Sequence, residues 1–177
     1  MDRRQFIQAG SAASVLGVAA GCASTGGGSG AGGNVVVVGG GYGGATAAKY
    51  IRMWSEGRVN VTLVEPNDSF ISCPISNLVI GGSKQMADIT TPYDNLAKRH
   101  GVKIIKDRAV SIDAGKRTIT LAGGTVLPYD RLVLSPGIEF MWDALPGMKK
   151  PGAQDKVLHS WKAGPQTVAL RRQLEAM

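Results

Sequence analysis

The chain has 177 residues, and 20 Lys and Arg against 13 Asp and Glu give it a formal net charge of +7 with His neutral. The basic residues are scattered, with no aromatic residues interleaved among them. That pattern fits solvated faces and argues against nucleic acid as a partner.

Residues 1–23 have the composition of a processing segment and stand apart from the fold. Arg3 and Arg4 directly precede Gln5, Phe6 and Ile7, and a weakly apolar run rich in Ala and Gly follows from Ala9 to Ala20. This resembles a twin-arginine export signal, which predicts a periplasmic location. The run is too short to span a bilayer. Cys22 reads either as a lipid-attachment cysteine, the one route to a membrane in this sequence, or as part of a cleavage site near Ala23. Residues 24–33 are Gly/Ser-rich and predict a flexible linker. The domain that follows then holds Cys73 alone, so it can form neither an internal disulfide nor a cysteine metal site, and no metal is expected.

Residues 34–38, Asn-Val-Val-Val-Val, are a continuous β-branched run, the pattern of a parallel strand covered on both faces. A glycine-rich turn follows, and the sequence from Ala45 to Trp54 predicts a helix, with Ala45, Ala48, Ile51 and Met53 at helical spacing. A second strand starts at Arg58 and is closed by Pro66. Strand, glycine turn, helix and strand make a right-handed crossover between parallel strands. Residues 70–82 read as an apolar loop, residues 90–101 as a helix stopped by Gly101, and residues 102–107 as a strand. Residues 109–113 and 117–121 alternate, with turn signals at Ala114-Gly115 and Gly123-Gly124, and predict an antiparallel meander. Residues 131–137 return to a buried parallel strand ending in Pro136-Gly137. A last amphipathic helix begins near Pro165.

Gly39, Gly41 and Gly44 have the spacing G-x-G-x-x-G. The first permits a tight turn off the strand, the second a close approach of backbone to a pyrophosphate, and the third close packing of helix on strand. Glu65 ends the next strand, 21 residues after Gly44, where a carboxylate accepts hydrogen bonds from ribose hydroxyls and repels a 2′-phosphate. Strand, helix, spacing and carboxylate together indicate a dinucleotide site. Cys73, a lone thiol in an apolar loop, reads from its residues alone as an inert packed group. His100 at a helix end, and His159, Trp142 and Trp161, read as structural.

The strand–meander–strand order and the terminal Leu-Val-Leu-Ser-Pro-Gly resemble the FAD domain of the two-dinucleotide-domain flavoprotein disulfide reductases. That implies an α/β fold, a Rossmann-like FAD-binding domain of the glutathione-reductase type with an inserted antiparallel β-meander, present over residues 34–177 as an incomplete N-terminal portion. More narrowly, "VVVVGGGYGGATAAKYI", "VTLVEPN", "CPISNLVIGG", "YDRLVLSPGIE" and "WKAGPQT", with the leader, resemble the flavoprotein subunit of flavocytochrome c sulfide dehydrogenases. The resemblance implies FAD as cofactor, with Pro66 beside Glu65, Val110 against the adenine through its backbone, and Pro136 and Gly137 against the ribityl and pyrophosphate region. It also implies a thioether from Cys73 to the 8α-methyl of FAD, although Pro74 stands where that family has an aromatic residue. The implied reaction takes two electrons from sulfide and passes them singly to a c-type cytochrome subunit, assisted by a redox cysteine pair expected beyond Met177. On that expectation the chain alone is inactive, and its exposed core edge lowers its solubility. A sulfide:quinone reductase, a type II NADH dehydrogenase and a non-catalytic flavin-binding module are the alternatives.

Overall fold

The computed structural model describes residues 32–177, so the expected export signal, Cys22 and the expected linker up to residue 31 lie outside the described residues. Gly32 and Gly33, at the linker's end, already bond into the fold: Gly32 N–H donates to the Arg58 carbonyl and the Gly33 carbonyl accepts from Asn60, each at 2.9 Å.

Four strands form a parallel sheet: β1 (Asn34–Val38), β2 (Asn60–Val64), β5 (Lys103–Ile105) and β9 (Arg131–Leu134), in the order β5-β2-β1-β9. Helix α1 (Tyr42–Trp54) crosses one face, burying Ala48 with Val37, Val61, Leu63, Tyr93 and Val102. The predicted meander, β6 (Ala109–Asp113), β7 (Thr118–Leu121) and β8 (Val126–Pro128), covers the other face, where Ile119 and Leu121 pack on Val36 and Val64. The unbroken apolar run in β1 follows from this sandwich, because successive residues bury in opposite layers.

Three expectations are corrected. Helix α1 begins at Tyr42 rather than Ala45, and its Met53 is 46% exposed, off the packed stripe. The stretch 90–101 is not all helix: β4 (Thr90–Pro92) pairs antiparallel with β3 (Ser69–Ile71), and α3 covers only Asp94–His100, ended by Gly101 in the left-handed conformation at φ 63°. The loop 70–82 contains the end of β3 and a one-turn helix, α2 (Asn77–Ile80). A short 3₁₀ turn, Met86–Ile89, leads into β4. After β9 the chain makes another 3₁₀ turn at Trp142–Ala144, a short helix α4 (Ala153–Lys156) and helix α5 (Pro165–Glu175), which packs on α2. Pro165 occupies the first helical position, where its missing N–H costs nothing. Along 134–157, Leu134, Ile138, Met141, Leu145 and Val157 are exposed. No helix among the described residues is long and apolar enough to cross a membrane.

Candidate functional site

Parallel register brings the carboxyl ends of β1, β2 and β9 level, since Val38 pairs with both Val64 and Leu134. Gly39, Glu65 and Ser135 therefore emerge side by side. Backbone contact fixes the turn there. Gly39 has φ +95°, its N–H donates to the Val64 carbonyl at 3.0 Å, and a Cβ on it would strike the Ser135 carbonyl, 2.8 Å from its carbon. A Cβ on buried Gly44 would lie 2.9 Å from the Gly39 carbonyl carbon and 3.3 Å from Val37 Cγ1, so this glycine lets α1 sit on β1. Gly41 differs: its φ is −69°, and a Cβ there would meet only Phe70 Cε2, at 3.9 Å.

Gly41 opens onto a crevice of about 310 Å³ lined by Gly39, Glu65, Cys73, Gly137, Trp161 and Lys162, among others. Helix α1 presents its N-terminus here. It has no side-chain cap and no acidic residue in its first turn, so its leading N–H groups and positive dipole end are left for an anion. An open glycine, a helix N-terminus and a carboxylate at the next strand's end fit a dinucleotide pyrophosphate with its ribose.

Glu65 is 7% exposed and already engaged. Its Oε2 accepts from Gly40 N–H at 2.7 Å, and its Oε1 accepts from Asn67 N–H at 3.0 Å and from the Asn67 side-chain amide at 2.6 Å. An ionised carboxylate offers about four acceptor sites. Glu65 therefore also braces the glycine turn, beyond the ribose role its spacing suggests.

Cys73 lies on the crevice wall, half-buried, its thiol donating to the Trp161 carbonyl. Its loop is tied to the amino end of α1: Tyr42 and Ser72 share a hydroxyl hydrogen bond, and Tyr42 meets Phe70 edge-on with ring centroids 4.7 Å apart. Gly39, Gly41, Glu65, Cys73 and Gly137 thus share one crevice. Gly44 lies beneath it, and Pro66 is exposed just after Glu65. Pro136 stands beside the turn, its Cα 3.4 Å from where a Cβ on Gly39 would lie, without lining the crevice, and Val110, 58% exposed on β6, does not line it either.

Trp161 is not the packing aromatic its type suggests: it is 72% exposed at the crevice wall, next to Lys162, which pairs with Glu139 at 2.7 Å. That pairing, chiefly through the side-chain hydrogen bond, holds the Glu139 carboxyl below its ordinary range. Trp142 does pack, its ring centroid 4.7 Å from that of Phe140, and His159 lies against Phe140 at 4.4 Å. His100 ends α3, where its carbonyl accepts from Arg52 Nε at 3.0 Å. Sequence reasoning missed Tyr93, 6% exposed, whose hydroxyl donates to the Gly40 carbonyl at 2.9 Å. It lies 53 residues from that glycine, and no local pattern marks it. A larger cavity of about 490 Å³ shares Gly41, Phe70 and Tyr93 as walls but contains neither Glu65 nor Cys73, so the chemistry concentrates in the smaller one. Among the described residues no cluster of His, Cys, Asp and Glu is arranged to hold a metal ion.

Residues 33–175 match the family described as pyridine nucleotide-disulphide oxidoreductase. The chain belongs to that family. Membership brings FAD as cofactor, and the parallel sheet with its crossover helix is the family's Rossmann-like FAD-binding architecture. The mitochondrial sulfide:quinone oxidoreductase of Dictyostelium discoideum is 28% identical over 108 residues, 61% of this chain and 24% of that protein. The sulfide dehydrogenase (flavocytochrome c) flavoprotein chain of Chlorobaculum thiosulfatiphilum is 58% identical over 38 residues, 22% of this chain and 77% of that sequence. Among solved structures, the sulfide:quinone oxidoreductase of Aquifex aeolicus superposes with a TM-score of 0.64 at 26% identity, covering 81% of this chain and 32% of that one. The chain thus spans about a quarter to a third of the length of these two sulfide:quinone oxidoreductases.

Proposed function

We propose that this chain is the FAD-binding N-terminal part of an exported flavoprotein that oxidises sulfide and delivers the electrons to a c-type cytochrome subunit, with the flavin tethered through Cys73. One observation carries the reading: the chain's lone described thiol stands on the wall of the same crevice as the open glycine turn and Glu65. The 58% identity to a flavocytochrome c flavoprotein chain supports the choice of electron acceptor. Bound FAD supplies the capacity to accept two electrons and release them singly. The chain's own part is to receive the pyrophosphate at Gly41 and the amino end of α1, to anchor the ribose end at Glu65, and to hold the Cys73 loop in place through Tyr42 and Ser72. A thioether suits an exported enzyme, because no pool of free FAD outside the cytoplasm replaces lost cofactor.

Acid precipitation of flavin-loaded protein tests the tether. Wild-type protein is expected to carry its yellow colour into the pellet, and Cys73→Ser to release it into the supernatant. A colourless wild-type pellet above a yellow supernatant refutes the tether and leaves FAD binding standing. The second reading is a quinone-reducing enzyme, favoured by 30% identity over 86 residues to the sulfide-quinone reductase of Aquifex aeolicus. Sulfide-dependent reduction of a soluble quinone analogue, in place of cytochrome c, by the protein carrying this chain decides for it. Cell fractionation tests export: recovery in the cytoplasm alone counts against it.

A further inference from the structure

Gly40 is not among the three glycines of the fingerprint, yet the structure crowds it too, and with a side chain where Gly39 and Gly44 meet backbone. A Cβ on it would fall 2.6 Å from Tyr93 Cζ and 2.8 Å from Cε1. Gly40 is also held at both of its polar atoms by side chains from elsewhere in the chain. Glu65 Oε2 takes its N–H at 2.7 Å, and the Tyr93 hydroxyl donates to its carbonyl at 2.9 Å, both bonds buried.

The peptide joining Gly40 to Gly41 is trans, as all described peptides are, so its C=O and N–H point in opposite directions. Fixing the Gly40 carbonyl on Tyr93 therefore fixes the direction of the Gly41 N–H. Gly41 is the N-cap of α1 and the residue open to the crevice. We infer that Tyr93 is a positioning residue for the cofactor's pyrophosphate, holding the Gly40 peptide so that the Gly41 N–H is presented to it. The inference rests on the dinucleotide reading of this crevice. Two further features agree with it. Tyr93 is buried beside the turn and helps to line the crevice. Burial, and then the charge of Glu65, push its phenol above the ordinary range, so the hydroxyl stays a donor through neutral and mildly alkaline pH.

The test compares FAD, ADP and adenosine as ligands of the full chain by titration calorimetry, alongside thermal melting. Tyr93→Phe keeps the ring and loses only the hydroxyl. FAD and ADP, which carry the pyrophosphate, are expected to bind about 5- to 30-fold more weakly, as expected where one buried carbonyl loses its partner. Adenosine, which lacks it, is expected to bind unchanged. A Tyr93→Phe chain that binds ADP like wild type overturns the inference, and so does an equal loss for ADP and adenosine, which marks a purely structural role. Should Tyr93→Phe not fold, Gly40→Ala crowds the ring from the other side and is expected to give the same ADP-selective loss; unchanged ADP binding there overturns the inference equally. A wild-type chain that binds neither FAD nor ADP overturns the cofactor reading and the Tyr93 role with it, whereas wild-type binding with an indifferent Tyr93→Phe overturns the latter alone.

Discussion

Gly41 and Gly44 belong to the same fingerprint, but the structure assigns them different work, and substitution separates the two. At Gly41 the backbone is extended at φ −69° and ψ −168°, conformations open to any residue, and the nearest atom to an added Cβ is 3.9 Å away. Gly41→Val therefore costs the fold only what a β-branched residue costs at an N-cap, about 1 kcal/mol. For a domain of this size that is a fall in Tm of about 2–4 °C. The new side chain projects into the crevice where a pyrophosphate approaches the amino end of α1, and FAD affinity is expected to drop by at least about 100-fold, which is roughly 2.7 kcal/mol. Gly44→Ala does the reverse. Its Cβ would run into the Gly39 carbonyl oxygen and lie 3.3 Å from Val37 Cγ1, and the backbone there is not free to retreat, so α1 must lift from β1 at a cost of about 3 kcal/mol or more. Its Tm falls by about 6–12 °C on the same scale. Far-UV melting gives the stability of each variant, and quenching of flavin fluorescence gives its affinity for FAD. The assignment fails if Gly41→Val binds FAD within about tenfold of wild type, or if it melts as low as Gly44→Ala.

Arg52 clamps the far end of α1. Its Nε donates to the His100 carbonyl at 3.0 Å, and one Nη donates to the Gly57 and Val59 carbonyls at 2.7 and 2.6 Å. Arg52→Lys cannot reproduce that fork and is expected to lower stability by about 2 kcal/mol without changing FAD affinity, checked by urea unfolding and flavin titration. The Glu139–Lys162 pair at the crevice wall is exposed, so Glu139→Gln is expected to change stability at pH 7 by less than about 1 kcal/mol. Because folding lowers the Glu139 pKa from its ordinary value of 4.5, the pair's contribution is fully present above about pH 4.5 and fades as pH falls through the lower folded value. Parallel melting curves from pH 7 to pH 3 are expected to converge at the acid end; curves that stay apart there contradict the sign.

The parallel core was legible because burial on both faces leaves a signature in the sequence. Val36 and Val37 face opposite layers, and only a strand covered on both sides tolerates such a run. The meander was legible from alternation and from its turns, one of which places Gly124 at φ +85°. The β3–β4 ribbon was not, since three-residue strands are shorter than any usable period, and Pro92 at its end hid the pairing further. The first turn of α1 was obscured by the weak helix propensity of Gly43 and Gly44, overridden here by packing on β1. The three fingerprint glycines and Glu65 were readable because each has a fixed offset from a strand end. Tyr93, Trp161 and Lys162 have no such offset. Their places at the crevice depend on where the ribbon and the segment after β9 come back to the sheet, which is set by tertiary packing.

The two halves of the site are therefore built with different rigidity. In the glycine turn, backbone meets backbone at Gly39 against Ser135 and at Gly44 against Gly39, and two buried side-chain bonds, from Glu65 and Tyr93, hold the N–H and C=O of Gly40. The backbone contacts have no rotamers to explore, so the phosphate end of the crevice is set once β1, β2 and β9 are paired and Tyr93 is packed beside the turn. The Cys73 side is held instead by a hydroxyl pair between Tyr42 and Ser72, an aromatic edge from Tyr42 to Phe70, and a thiol bond to the Trp161 carbonyl. These links leave more freedom of adjustment. A dinucleotide seated first at the rigid phosphate end would bring its ring to a loop that can still shift, which favours non-covalent docking before any thioether forms. Loss of the phosphate contacts in Gly41→Val would on this ordering suppress tethering even though Cys73 is untouched. Gly41→Val that tethers flavin at the wild-type rate would reverse the order.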